Sequence, residues 1–112
     1  MQLLCEKLTK FSIPAIRIAV SDMLYSNYDI SQKVIALKLG VAQPAVYKYL
    51  KGKYSERVSV VTNFIKSSGM HEPIAKAIIS GSNPLKVQGM IERLASSRRV
   101  SAYCNSLLKS GK

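Results

Sequence analysis

Residues 31–50 read SQKVIALKLGVAQPAVYKYL and run on into Lys51, Gly52 and Lys53, a spacing that leaves the backbone few choices. Ser31 suits a helix N-cap, because its hydroxyl can accept from a first-turn N–H. The helix predicted over 32–39 turns Val34 or Ile35, Ala36 and Leu39 inward, and Lys33 and Lys38 outward. Gly40 ends it, since glycine enters the left-handed region without a Cβ penalty and lets the chain turn within three or four residues. A further helix over 41–50 follows, with Val46, Tyr49 and Leu50 able to reach a core. Ala36 has to be small where the second helix crosses over the first, and Val41 and Val46 fasten the two together. A Gln, small, Gly, apolar, apolar series at these intervals marks two short helices crossing at a sharp turn.

Helical spacing extends over the rest of the chain. Pro14 suits a helix start, and Ile16, Ala19, Val20, Met23 and Leu24 then share one face until Ser26 and Asn27. The preceding residues 3–11 read as a short helix or turn packed on it. Val58, Val61, Phe64 and Ile65 predict a helix over 56–67, closed by Ser68 and Gly69. A shorter helix spans 73–79, ending at Gly81. Asn83 and Pro84 open the last one, striped by Val87, Met90, Ile91 and Leu94. Alternation of the strand kind never persists beyond a brief stretch near Val58. The expected fold is all-α, a five- to seven-helix bundle.

Seventeen Lys and Arg against six Asp and Glu leave a net charge of +11 on 112 residues, with an isoelectric point near 9.9. That imbalance implies a polyanionic partner, since a basic surface concentrates phosphates and releases counterions on contact. Residues 31–57 carry six basic side chains, Lys33, Lys38, Lys48, Lys51, Lys53 and Arg57, against the single acid Glu56. A second basic cluster comprises Arg93, Arg98, Arg99, Lys109 and Lys112.

No run approaches the eighteen or so apolar residues of a membrane span. The first residues, with Glu6, Lys7 and Lys10, lack a secretory h-region. A cytoplasmic, nucleoid-associated location is the expectation. Cys5 and Cys104 are too few and too far apart for a zinc site or a disulfide framework, and read as reduced buried hydrophobes. No glycine-rich phosphate loop, metal-spaced Cys/His cluster or nucleophile with a base partner is evident. No enzyme activity, metal or cofactor is expected. His71, the lone histidine, reads as a turn or capping residue without a role.

Gln32, Ala36, Leu39, Gly40, Val41, Gln43, Ala45, Val46, Lys48 and Leu50 resemble the helix-turn-helix of the phage Cro and repressor proteins, the XRE-type group, in register and without insertions. Cys5-Glu6, Pro14, Arg17 and Ala19 ahead of the Ser-Gln pair look similar to small archaeal regulators of that type, over about the first 55 residues. Such relatives often carry several cysteines near the C-terminus, where only Cys104 stands here. Two further departures are Ala42, in place of a capping Ser or Thr, and Pro44, in place of a small polar residue. Proline is tolerated in a first turn, where its missing N–H has no partner anyway.

The resemblance implies a motif over 31–53 whose helix 43–50 lies in the major groove of double-stranded DNA. Gln43 would pair with adenine, or else bond only to backbone or phosphate. Lys48 would reach guanine or clamp a phosphate, and Tyr47 would offer its hydroxyl to phosphate or its ring to a thymine methyl. The Pro44 ring would pack on a thymine methyl. Gln32, at the start of the supporting helix, would hold a phosphate, flanked by Lys33, Lys51 and Lys53. Ala36, Gly40, Val41 and Val46 hold the motif's shape.

The organisation expected is a DNA-binding part over 1–69 and a C-terminal helical region over 70–112 for dimerisation, because one recognition helix reads few base pairs. If the last helix is unbroken, Val87, Met90, Leu94, Ser97, Ser101, Cys104 and Leu108 form a seam, and Cys104 could meet its twin in a disulfide. If it breaks near 96–99, Val100, Tyr103, Leu107 and Leu108 pack back as a separate helix. The reading is a homodimeric transcriptional regulator, a repressor, with no membrane partner and no identifiable effector. The alternatives are a non-specific chromatin- or RNA-binding protein and an antitoxin-like protein-interaction module.

Overall fold

Helix order follows from caps that sit where the sequence places them. A computed structural model of the chain describes the backbone of residues 2–110 and the side chains of residues 10–106. Those residues form α1 (Gln2–Tyr28), α2 (Gln32–Leu39), α3 (Gln43–Lys51), α4 (Glu56–Ser68), α5 (Glu72–Ile79), α6 (Pro84–Ala95) and α7 (Arg98–Ser110), with no strand among them. Ser31, Ser55 and Asn83 each accept a first-turn N–H at the starts of α2, α4 and α6. The chain is all-α, as expected.

The N-terminal region departs from expectation. Pro14 does not open a helix but lies inside α1, which runs unbroken through 27 residues. Proline in a helix interior removes one i→i−4 hydrogen bond and crowds the preceding turn. Burial compensates, because α1 packs against each of the other six helices, and Ala15, Ile16, Ile18, Ala19 and Val20 are all fully buried. A helix enclosed on nearly every side is held by its neighbours rather than by its own propensity.

One apolar cluster joins all seven helices, from Ala15 and Ile16 on α1 through Ile35, Val46, Val61, Ile74 and Val87 to Val100 and Cys104 on α7. Members of this cluster stand on both sides of Gly69, after which the C-terminal region was expected to begin. A radius of gyration of 13.4 Å fits one compact domain of this length, for which about 13 Å is typical.

The last helical stretch is broken. α6 ends at Ala95, and Ser97 accepts from the Val100 N–H at 3.4 Å as α7 begins. Val87 and Cys104, two members of the expected seam, are buried against the protomer's own core. The generous apolar stripes of 84–104 are therefore largely used internally, and Cys104, 1% exposed, is enclosed by the protomer's own core. Tyr103 packs back on α4, its ring stacked on Phe64 with centroids 4.0 Å apart. Leu107 and Leu108 lie outside the residues whose side chains are described, as does Cys5.

Candidate nucleic-acid interface

α2 and α3 form a short pair joined at Gly40, and each junction has a local cause. Ser31 Oγ accepts from the Val34 N–H at 3.3 Å. Gly40 takes φ 71° and ψ 33°, and the Val41 N–H then donates to the Ala36 carbonyl at 3.0 Å. This left-handed closure reverses the chain and satisfies orphan carbonyls at the end of α2. Ala36 is buried at the crossing, Val46 is fully buried, and Val41 is half-buried against the same cluster. All four residues read as structural in the motif are thus used to hold the pair. Of the two candidates for the inward face of α2, Ile35 is buried and Val34 is exposed.

Pinning Val46 inward, with Tyr49 and Leu50 half-buried beside it, fixes what α3 presents outward. Pro44, Tyr47, Lys48 and Lys51 recur at helical intervals and form the opposite face, with Gln43 at its shoulder, and all five are exposed. A second left-handed turn at Gly52, φ 74°, lets the Lys53 N–H donate to the Lys48 carbonyl at 2.9 Å. The chain folds back, and the Lys51 and Lys53 ammonium groups stand 5.6 and 6.0 Å from the Tyr47 ring centroid. Both lie within cation–π range of one exposed phenol ring. That meeting was not legible in the sequence, although Gly52 was its signal.

The N-terminus of α3 differs from those of α2, α4 and α6. Ala42 provides no side-chain cap, and Pro44 has no N–H to offer. The Ala45 N–H donates to the Ala42 carbonyl at 3.0 Å. The Gln43 backbone N–H, which has no intrahelical acceptor, and the Gln43 amide remain as donors at that end. They suit a single acceptor pair rather than a phosphate cradle.

Gln32 and Lys33 occupy the first turn of α2, Gln32 half-buried and Lys33 exposed. Among the described residues none of Lys33, Lys48, Lys51 and Lys53 is in an ion pair, so their charge is available to an external anion. The ion pair that is present lies elsewhere, between Lys66 and Asp22.

That pair borders a polar cavity of about 490 Å³ between α1, α4 and the start of α5, lined also by Asn27, His71 and Glu72. His71 is the turn and capping residue expected, at the N-cap of α5 with its carbonyl accepting from the Ile74 and Ala75 N–H groups, but its ring is 5% exposed and its Nδ1 has no hydrogen-bond partner. Among the described residues no group of three or more His, Cys, Asp or Glu could hold a metal ion, and none of the helices is long and apolar enough to cross a membrane.

Compared with known proteins, the chain matches no family model, no curated protein and no solved structure.

Proposed function

We propose that this protein binds duplex DNA as a transcriptional regulator, with α2–α3 acting as a helix-turn-helix and α3 entering the major groove. The observation that carries the reading is the division of α3 into a core-anchored face at Val46 and an exposed face of Gln43, Pro44, Tyr47, Lys48 and Lys51. A helix held rigidly by one side and basic on the other is what a groove about 12 Å wide admits.

In this reading Gln43, with its amide and the adjoining backbone N–H, reads a base edge. Lys48 contacts a guanine or the adjacent phosphate. Pro44 and the Tyr47 ring supply apolar surface for a thymine methyl. Lys51 and Lys53, gathered on Tyr47, hold the phosphate backbone, and Gln32 and Lys33 hold it from the start of α2. Such contacts to phosphate position the protein, while those to base edges specify the sequence. Two copies on adjacent half-sites would read a pseudo-palindrome and repress by occupancy.

Selection of bound duplexes from a random pool supplies the operator for the test. Gln43→Ala should then lower the preference for operator over scrambled duplex by about 1–3 kcal/mol. Lys51→Ala should weaken both duplexes alike and reduce the slope of log affinity against log salt by about one. Equal affinity of the parent protein for operator and scrambled duplex would instead make it a sequence-independent nucleic-acid binder.

A further inference from the structure

A second concavity lies between α5 and α6, away from the α3 face. It encloses about 320 Å³ and is lined mainly by Met70, Pro73, Ile74, Met90, Leu94 and Arg93. Its walls are apolar, yet Met70, Met90 and Leu94 are only half-buried although they pack on the core cluster. Apolar area here is left uncovered by the protomer.

The charged side chain in its lining, Arg93, is basic, and further basic residues stand near it in sequence. On α6, Lys86 and Arg93 sit four residues before and three after Met90, which places both on the Met90 side of the helix. Arg98 and Arg99 follow Ser97, a lining residue, at the start of α7. All four basic residues are exposed. Glu92, the one acid of α6, stands two positions from Met90 and so points to nearly the opposite side. Glu72, beside Pro73, lines the other cavity together with Lys66.

Two physical arguments identify the occupant. A two-fold contact between copies through this groove would bring α6 toward its own twin, setting Lys86 and Arg93 near their duplicates on a chain already at +11. A partner with carboxylates instead gains at each of these basic residues. The trough lies between two helices and is open to solvent, so it suits an apolar ridge laid into it, the helix-in-groove mode read as i, i+3 or i+4, and i+7 anchors. Methionines on both walls let it adapt to such a ridge. We propose that the α5–α6 groove docks an acidic amphipathic helix of a partner protein. The proposal stands independently of DNA binding.

The probe is a fluorescent helix-forming peptide with leucines at i, i+4, i+7 and i+11 and glutamates on the flanks, titrated with the full chain and read by anisotropy. It should bind, and two control peptides, one with serines for the leucines and one with lysines for the glutamates, should bind roughly tenfold or more weakly. Arg93→Glu should weaken the acidic peptide by a similar factor while the chain stays folded by circular dichroism and keeps its preference for operator over scrambled duplex, since Arg93 is exposed and outside the α3 face. Met90→Lys, checked for folding by circular dichroism, should weaken the acidic peptide by a similar factor.

Equal binding of the leucine-free peptide would reduce the interaction to net charge and overturn the proposal. So would a loss caused by Lys51→Glu rather than Arg93→Glu, which would place the peptide on α3. Self-association in sedimentation equilibrium that Arg93→Glu abolishes would assign the groove to a second copy and equally overturn it. Loss of DNA binding in the α3 variants with peptide binding intact would bear on the proposed function alone.

Discussion

Lowering the pH through the range in which histidine titrates should destabilise this protein by way of His71. The ring is 5% exposed and its Nδ1 has no partner. Its pKa is pushed below the usual 6.5, chiefly because burial disfavours the charged form, with Lys66 adding in the same direction. Glu72, the hydrogen bond with the Ile65 backbone and Asp22 oppose the shift without cancelling it. The unfolded chain therefore takes up a proton at a higher pH than the folded one, and stability rises with pH where the unfolded state binds more protons. His71's contribution is complete above about pH 6.5 and is lost as pH falls from there toward its folded-state pKa. Within that window one group can contribute a slope of at most about 1.4 kcal/mol per pH unit. Urea unfolding of the parent and of His71→Gln between about pH 8 and pH 5, above the range of ordinary carboxylates, isolates the group. The parent should lose stability below about pH 6.5 more steeply than the variant. Parallel curves, or a parent that gains stability on acidification, would refute the reasoning.

A Cβ added at Gly40 meets nothing within 4 Å, but the residue sits at φ +71°, so Gly40→Ala should cost the backbone term alone, about 1–2 kcal/mol, and Gly40→Asn less, by urea unfolding. Cys104 is 1% exposed, and burial raises its thiol pKa. In a Cys5→Ser background it should react with an aromatic disulfide reagent on the order of a hundredfold slower in the folded protein than in urea. Rapid labelling of the folded form would contradict the packing of α7 on the core.

The parts of the fold that were legible in the sequence are those fixed by local chemistry. Ser31 and Gly40 delimit α2 because a hydroxyl acceptor and a left-handed glycine act within a few residues of where they stand. Pro14 misled for the same reason: locally it resembles a helix start, whereas the enclosure of α1 by six neighbours is a tertiary fact that overrides it. Of the two readings open for the C-terminal stretch, the helix broken near 96–99 is the one found, with Val100 and Tyr103 packed back. Residues three and four apart face one way whether they meet a twin or their own core, and Val87 and Cys104 meet their own core. At the candidate interface, the outward direction of Pro44, Lys48 and Lys51 followed from the inward need of Val46. The gathering of Lys51 and Lys53 over Tyr47 depended on the turn at Gly52, which spacing alone does not orient. His71 is the turn and capping residue its place between two helices suggests, whereas the burial of its ring is a tertiary fact that nothing in its neighbours announces.

The central claim is that the outward side of α3 is the surface that meets DNA, and backbone amide shifts recorded by NMR during titration with a selected duplex test it most directly. The account predicts the largest changes at Gln43, Ala45, Tyr47, Lys48, Lys51 and Lys53, with a second group at Gln32 and Lys33. Changes confined to Arg93, Arg98 and Arg99, with the α3 amides unmoved, would contradict it.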